Sequence, residues 1–226
     1  KEIMDKGPYS LYTGTKNGTG EAGDGRGTYR DLFTSEDTQG NPEVMLAYEI
    51  TAPSTGEANW WLNSSTYGPH LCMTRTFSHT YLNADGTIFN EKNEDGSYKT
   101  FVEETTGRDY RLNQVIRGAD YTRLNMQGKY EATAANFTGH TLTGYQLTKW
   151  VYDDASYDDQ SSGTYDTPLF RYAEILLIYA EAKAETGKMD NDVWKKTIGA
   201  LRARAGITGG LDAVPTVKDP LLVEYY

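Results

Sequence analysis

Cysteine is almost missing from this chain. Cys72 stands alone, so no disulfide can form within the sequence and no cysteine-based zinc spacing exists. A single cysteine is ordinarily a small buried hydrophobe. Histidine is scarce too: His70, His79 and His140 fall in no H-E-x-x-H pair, and no G-x-S-x-G elbow is present. Basic residues are in deficit, with 22 Lys+Arg against 32 Asp+Glu and a net charge of −10. Nucleic-acid affinity comes mainly from cations neutralising phosphates, so that class of partner is excluded. Long apolar runs are missing as well. The longest, residues 175–180, is broken by Glu181, far short of a membrane span.

What is present is glycine and tyrosine. There are 23 Gly, and 38% of residues are hydrophobic, below the usual globular share, which implies many turns and much surface. Disorder is excluded because 12% of the chain is aromatic. Tyr outnumbers Phe by 18 to 6, beside 4 Trp. These amphipathic rings suit half-exposed positions and interfaces.

Residues 42–51, PEVMLAYEIT, have strand content, and so do residues 145–152, YQLTKWVY. Asp85-Gly86 and Asp95-Gly96 mark turns. Residues 100–102 read as a short extended run. From Thr167 the texture becomes helical. Leu169, Ala173, Leu176, Leu177, Ala180 and Ala184 stripe one face, with Thr167 or Asp166 as cap, Pro168 in the first turn and Gly187 at the end. A second helix is capped by Asp190 or Asn191, striped by Trp194, Ile198, Leu201 and Ala205, and ended by Gly206. Together they form an αα-hairpin of tetratricopeptide size. Its charges are expected to pair within it, Arg171 with Glu174 and Arg202 or Arg204 with Glu181 or Glu185. Glu174 and Glu181 share a face but lack the Glu-x-x-His element of a bundle metal site.

The fold class expected is α+β: a tetratricopeptide-like helical hairpin scaffold with a loop-rich region containing short strands. The division falls at residues 1–166, loop-rich and ligand-binding, and 167–226, the hairpin and the start of a further helix. KEIMDK reads as the last turn of a helix stopped at Gly7-Pro8, and Asp219-Pro220 opens another. The expectation is a piece of one larger domain.

Chemistry-bearing patterns are few. Gly18, Gly20 and Gly23 match G-x-G-x-x-G, but no strand precedes them, no helix follows, and Glu21 would repel phosphate. Asn93, Asp95 and Gly96 imitate part of a calcium loop, yet its twelfth position is Val102. Asp153, Asp154, Asp158 and Asp159 offer oxygen ligands for Ca²⁺, and a solvated loop is the expectation; no cofactor is assigned. N-x-S/T triplets at Asn17, Asn63 and Asn136 decide nothing in a chain this rich in Ser and Thr. Trp60 and Trp61 lie among Asn63, Ser64, Ser65 and Tyr67. In an extended segment one ring would face outward beside amides and hydroxyls. That is the composition of a sugar-stacking platform or of a protein hot spot, so Trp60, Trp61, Asn63 and Tyr67 are the candidate ligand-binding residues.

TPLFRYAEILLIYAEAKAETG, followed by a capped helix ending IGALRARAG, resembles the C-terminal signature of the SusD/RagB family of outer-membrane nutrient-binding lipoproteins. GPYSLY, NPEVMLAYEI, YLNADGT and GYQLTKW resemble other elements of that family in order, and GRDYRLNQVI resembles its Arg-Asp-Pro-Arg-Leu element with Tyr110 in place of Pro. The resemblance implies a non-enzymatic surface protein of the outer membrane, held by a lipid anchor outside this chain. It implies glycan binding for delivery to a SusC-like TonB-dependent transporter. A peptide-binding member and a surface glycoside hydrolase are the alternatives. No family motif carries a ligand site onto these residues.

Overall fold

The computed structural model describes residues 1–14, 27–50, 72–135, 139–157 and 164–215. In chain order the elements are helix α1 (Glu2–Lys6), helix α2 (Thr28–Thr34), strand β1 (Val44–Tyr48), helix α3 (Arg75–His79), helix α4 (Phe101–Thr105) and helix α5 (Tyr110–Val115). Strands β2 (Thr122–Leu124), β3 (Tyr130–Ala132) and β4 (Thr167–Arg171) follow, then helix α6 (Tyr172–Glu185). Helix α7 (Asn191–Trp194), a π turn (Lys195–Gly199) and helix α8 (Ala200–Arg204) run on without a break. The strands make two antiparallel ribbons, β1 with β4 and β2 with β3. The mixed α and β content is the one read from the sequence.

Side chains fix the short helices. Asp190 accepts a hydrogen bond from the Val193 amide at 2.8 Å, and Thr74 accepts one from Phe77 at 3.2 Å. Thr100 and Glu103 form a reciprocal capping box, so residues 100–102 open a helix where an extended run was expected. The expected turns form. Asp85 and Asp95 each take the amide two residues on, at 2.9 Å, and Gly86 and Gly96 adopt φ of 87° and 83°.

The main helix starts later than its pattern suggests. Residues 167–171 are extended and pair with β1, Val44 opposite Arg171 and Tyr48 opposite Thr167. Pro168 therefore lies in a strand. It brings no amide to the ladder, and the register shifts beside its partner Ala47. No side chain caps α6; the Tyr172 amide donates to the Glu43 carbonyl at 2.8 Å instead. Of the stripe, Ala173, Leu176 and Ala180 are buried, while Leu169 and Leu177 stay half exposed. Gly187 and Gly206 end the two helical runs at φ of 65° and 74°, as expected.

Among the described residues the hairpin arginines find partners other than the expected hairpin acids. Arg171 reaches Glu43 at 2.7 Å, Arg204 binds the other oxygen of Glu43, and Arg202 donates to the Gly86 carbonyl at 2.9 Å. Glu43 is fully buried, so a carboxylate outside the hairpin neutralises two of its arginines. Desolvation of Glu43 demands such partners, whereas exposed hairpin acids gain little from them.

Residues 145–152 form an extended strap rather than a regular strand. The strap is laced to the end of α5 through Ile116 opposite Leu147, Arg117 N–H to Gln146 at 2.9 Å and Thr148 N–H to Val115 at 2.9 Å. Further pairing is taken by Arg30. Its guanidinium is buried and spends all five donors: on the Asp153 carboxylate at 2.9 and 2.6 Å, on the Gln114 carbonyl at 3.3 Å, and on the carbonyls of Thr148 and Val151. Carbonyls that would serve a neighbouring strand thus go to one side chain. Tyr145 of the strap packs with Met73, Leu112, Val115 and Ile116 in the main core, and burying Leu112 or Ile116 contributes about 1.5–3 kcal/mol each.

Candidate ligand-binding cleft

The element GRDYRLNQVI assembles much of the site. Arg108 is buried and donates to the carbonyls of Glu104 at 2.6 Å, Ser78 at 3.2 Å and Tyr81 at 2.5 Å, so it closes the ends of α3 and α4. Its face lies 3.8 Å from the Phe89 ring centroid. Asp109 caps α5 through the Arg111 amide at 3.0 Å and holds the Arg111 guanidinium by two bonds, at 3.0 and 2.9 Å. Tyr110 stands where the family element has proline. Its amide donates to the Ala205 carbonyl at 2.8 Å, a bond proline cannot make. Arg111 is thereby held beside Tyr81, 5.6 Å from its ring centroid.

Arg111 opens onto a cleft of about 500 Å³ between α2, α3, α5 and the strap. Tyr29, Phe77, Tyr81 and Trp150 supply its rings, and Arg111, Lys149 and Arg171 its cations. Phe77 and Tyr81 meet edge to face at 6.0 Å. Phe33 backs the opposite wall, 5.5 Å from Trp150 at 76° and 5.6 Å from Tyr29. A second recess of about 280 Å³ adjoins it under α6 and shares Tyr29, Arg111 and Arg171.

Two of the three cations are neutralised, Arg111 by Asp109 and Arg171 by Glu43. Lys149 is not: among the described residues its ammonium meets only ring faces, Phe33 at 4.2 Å and Trp150 at 4.3 Å. Burial, and then the charge of Arg171, pull the Lys149 ammonium down to about 8. Trp150 adopts φ 63°, a conformation bulky side chains avoid. The turn swings its ring against Phe33 and over Lys149, and strain of this kind concentrates at ligand sites.

Trp60, Trp61, Asn63 and Tyr67 lie outside the described residues, as do Gly18, Gly20, Gly23, Asp158 and Asp159. Of the acidic loop, Asp153 is held by Arg30 and by the Tyr121 hydroxyl at 2.7 Å, while Asp154 accepts from Ser156 at 2.7 Å. No group of three or more His, Cys, Asp or Glu suited to a metal gathers among the described residues. His79 stands between Glu91 at 3.6 Å and Glu104 at 3.4 Å, with Glu104 already engaged by Arg75 at 2.6 Å. Among the described residues no helix is long and apolar enough to cross a membrane. The cleft residues come from five separate stretches, and only the surplus of Tyr and Trp hinted at them.

The molecule is thus a helix-braced, loop-rich scaffold with one cleft lined by aromatics and cations and another, of similar size, lined by acidic and aliphatic residues of 36–49 and Asp166. The family model for the SusD family matches residues 30–222, and the chain belongs to that family. It is similar to the crystal structure of a SusD-like protein from Bacteroides fragilis, with TM-score 0.66, 23% identity, and coverage of 97% of this chain and 44% of the other. A SusD-like carbohydrate binding protein from the same organism gives TM-score 0.59, 20% identity, and coverage of 99% and 42%. The chain therefore spans less than half the length of either structure. No curated protein sequence matches it. The resemblance read from the helix signature and its companion motifs is a true family relationship.

Proposed function

We propose that this chain is part of a cell-surface receptor that binds glycans and passes them to a SusC-like TonB-dependent transporter, without bond chemistry of its own. The observation that carries the reading is the aromatic cleft, where Tyr29, Phe77, Tyr81 and Trp150 border open volume inside a SusD-family fold. Rings of this kind take the apolar C–H faces of sugars, while neighbouring polar tips take hydroxyls. Family membership and the carbohydrate-binding title of one structural relative support it. On this reading the α6–α8 hairpin is tetratricopeptide-like framework, residues 1–166 carry the ligand, and residues 167–226 brace it. A lipid anchor outside the chain holds the receptor to the outer membrane. Trp60, Trp61, Asn63 and Tyr67 remain proposed as a second stacking element.

The test is titration calorimetry against a panel of neutral and charged oligosaccharides. Trp150→Ala should weaken binding by about 2 kcal/mol or more, the cost of losing an anchor ring. Retention of peptides with a blank glycan panel would replace the reading with a peptide receptor. Release of reducing sugar by purified protein would make it a hydrolase.

A further inference from the structure

The chain carries a net charge of −10, yet its aromatic cleft presents three cationic side chains. Positive charge focused in a cleft of an acidic molecule selects its ligand electrostatically. Asp109 and Glu43 compensate Arg111 and Arg171 from behind. Lys149 has no such carboxylate among the described residues and instead faces Arg171 and two rings. A neutral sugar would leave that ammonium partly desolvated and unpaired, whereas an anionic substituent would compensate it.

Resting on the glycan reading, we propose that this cleft is a subsite for an anionic sugar residue. Its carboxylate or sulfate pairs with the Lys149 ammonium between Arg111 and Arg171, while Trp150 and the Phe77–Tyr81 pair receive its C–H faces. The two anions share one chemistry, acceptor oxygens on a pyranose ring, and differ in geometry. Arg111 and Arg171 line the same cleft.

Lys149 also makes the subsite sensitive to pH. The ammonium feels the charge of Arg171 from β4 and meets the rings of Phe33 and Trp150; Arg111 from α5, Tyr29 from α2 and Tyr81 after α3 line the same cleft. Guanidinium groups keep their charge at alkaline pH, and the Tyr81 hydroxyl is pushed up to about 12, first by burial. Lys149, held at about 8, is the member whose charge is lost first. Affinity for an anion should be full below that value and fall by up to about tenfold per pH unit above it.

The experiment compares the whole protein with trigalacturonate, its methyl ester, a sulfated neutral trisaccharide and triglutamate. The expected result is tighter binding of trigalacturonate than of its ester by roughly tenfold, the scale of one charge-assisted contact. Lys149→Gln should reduce that ratio towards one, Lys149→Arg should restore it, and the affinity of the unaltered protein should fall through pH 8. A preference for the sulfated sugar with the same Lys149 dependence supports the subsite and names sulfate as its anion. Equal binding of acid, ester and sulfated sugar, or preferences indifferent to Lys149, overturns the anionic subsite and leaves the glycan reading standing. Binding of triglutamate alone, or of no sugar at all, overturns both. The pH series on the unaltered protein decides the matter even if a Lys149 variant folds poorly.

Discussion

Arg171 donates to the carboxylate of Glu43 at 2.7 Å across 128 positions of sequence. Arg204 takes the other oxygen, and the Tyr12 amide adds a bond at 2.9 Å. One fully buried carboxylate thus ties the N-terminal segment, the β1–β4 ribbon and the last helix together. Removing one partner of a buried ion pair leaves the others uncompensated and costs about 3–5 kcal/mol. Glu43→Ala should therefore lower unfolding stability by that amount in urea titration. Glu174→Ala, an exposed acid of α6, should shift it by less than about 0.5 kcal/mol. Equal effects from both would deny Glu43 its place as the common anchor.

Tyr110 and Gly206 form the second junction. A Cβ on Gly206 would lie 2.4 Å from Tyr110 Cε2, and φ at Gly206 is 74°. Gly206→Ala must therefore strain the backbone and displace the ring together, at about 1–3 kcal/mol. Tyr110→Pro returns the residue of the family element but deletes the amide bond to Ala205. Proline suits the first turn of a helix, yet an amide already committed outside its helix should make the change destabilising by about 1 kcal/mol or more. Thermal melts of both variants check this. A stabilised Tyr110→Pro protein would mean that the Ala205 bond contributes nothing net.

The paired amphipathic segments near the end of the chain were readable because their periodicity, their Asp190 cap and their Gly187 and Gly206 stops all agree. Two local features misled. Thr167-Pro168 imitates a helix start, but strand pairing with β1 prevails there, and pairing across more than a hundred positions leaves no local pattern. The strap at 145–152 has strand content, yet the donors of Arg30 claim its carbonyls, and nothing near Arg30 in sequence announces that. The T-x-x-E capping box at Thr100 was legible and outranks the extended reading of Val102. The cleft was not legible: Tyr29, Tyr81, Arg111, Lys149 and Arg171 become neighbours only through the fold. Trp150 gave no signal because its left-handed backbone is imposed by its surroundings.

Glu104 sets an acid limit on stability. Burial acts to raise its carboxyl, but the Tyr145 hydroxyl and Arg75, at 2.6 Å, outweigh it and hold the group below the ordinary glutamate value. A depressed acid contributes stability that is complete above its unfolded value and drains away as pH falls through the folded one. The Arg75–Glu104–Tyr145 cluster should therefore loosen on the acid side while the protein is still stable at neutral pH. Glu104→Gln should flatten the acid limb of a stability–pH curve recorded by denaturant midpoints. An unchanged limb would shift the acid sensitivity to other carboxylates.

Lys149 predicts a slope of the same sign on the alkaline side but from a destabilising charge, and this separates its cost to the fold from its use. Its folded value of about 8 lies below that of an unfolded lysine, so above it the unfolded chain binds the extra proton. Stability then rises with pH between the two values, because the folded protein is relieved of a crowded ammonium beside Arg171. At neutral pH the same ammonium is a burden. Lys149→Met, which keeps the stem against Phe33 and Trp150, should raise stability at pH 7 by roughly 1 kcal/mol, partial exposure screening the rest. The gain should shrink towards zero near pH 10. A residue kept for the fold alone would lose stability on that change at every pH. A gain confined to neutral and mildly alkaline solution would mean that the cleft holds an ammonium ready for an anion it has yet to meet.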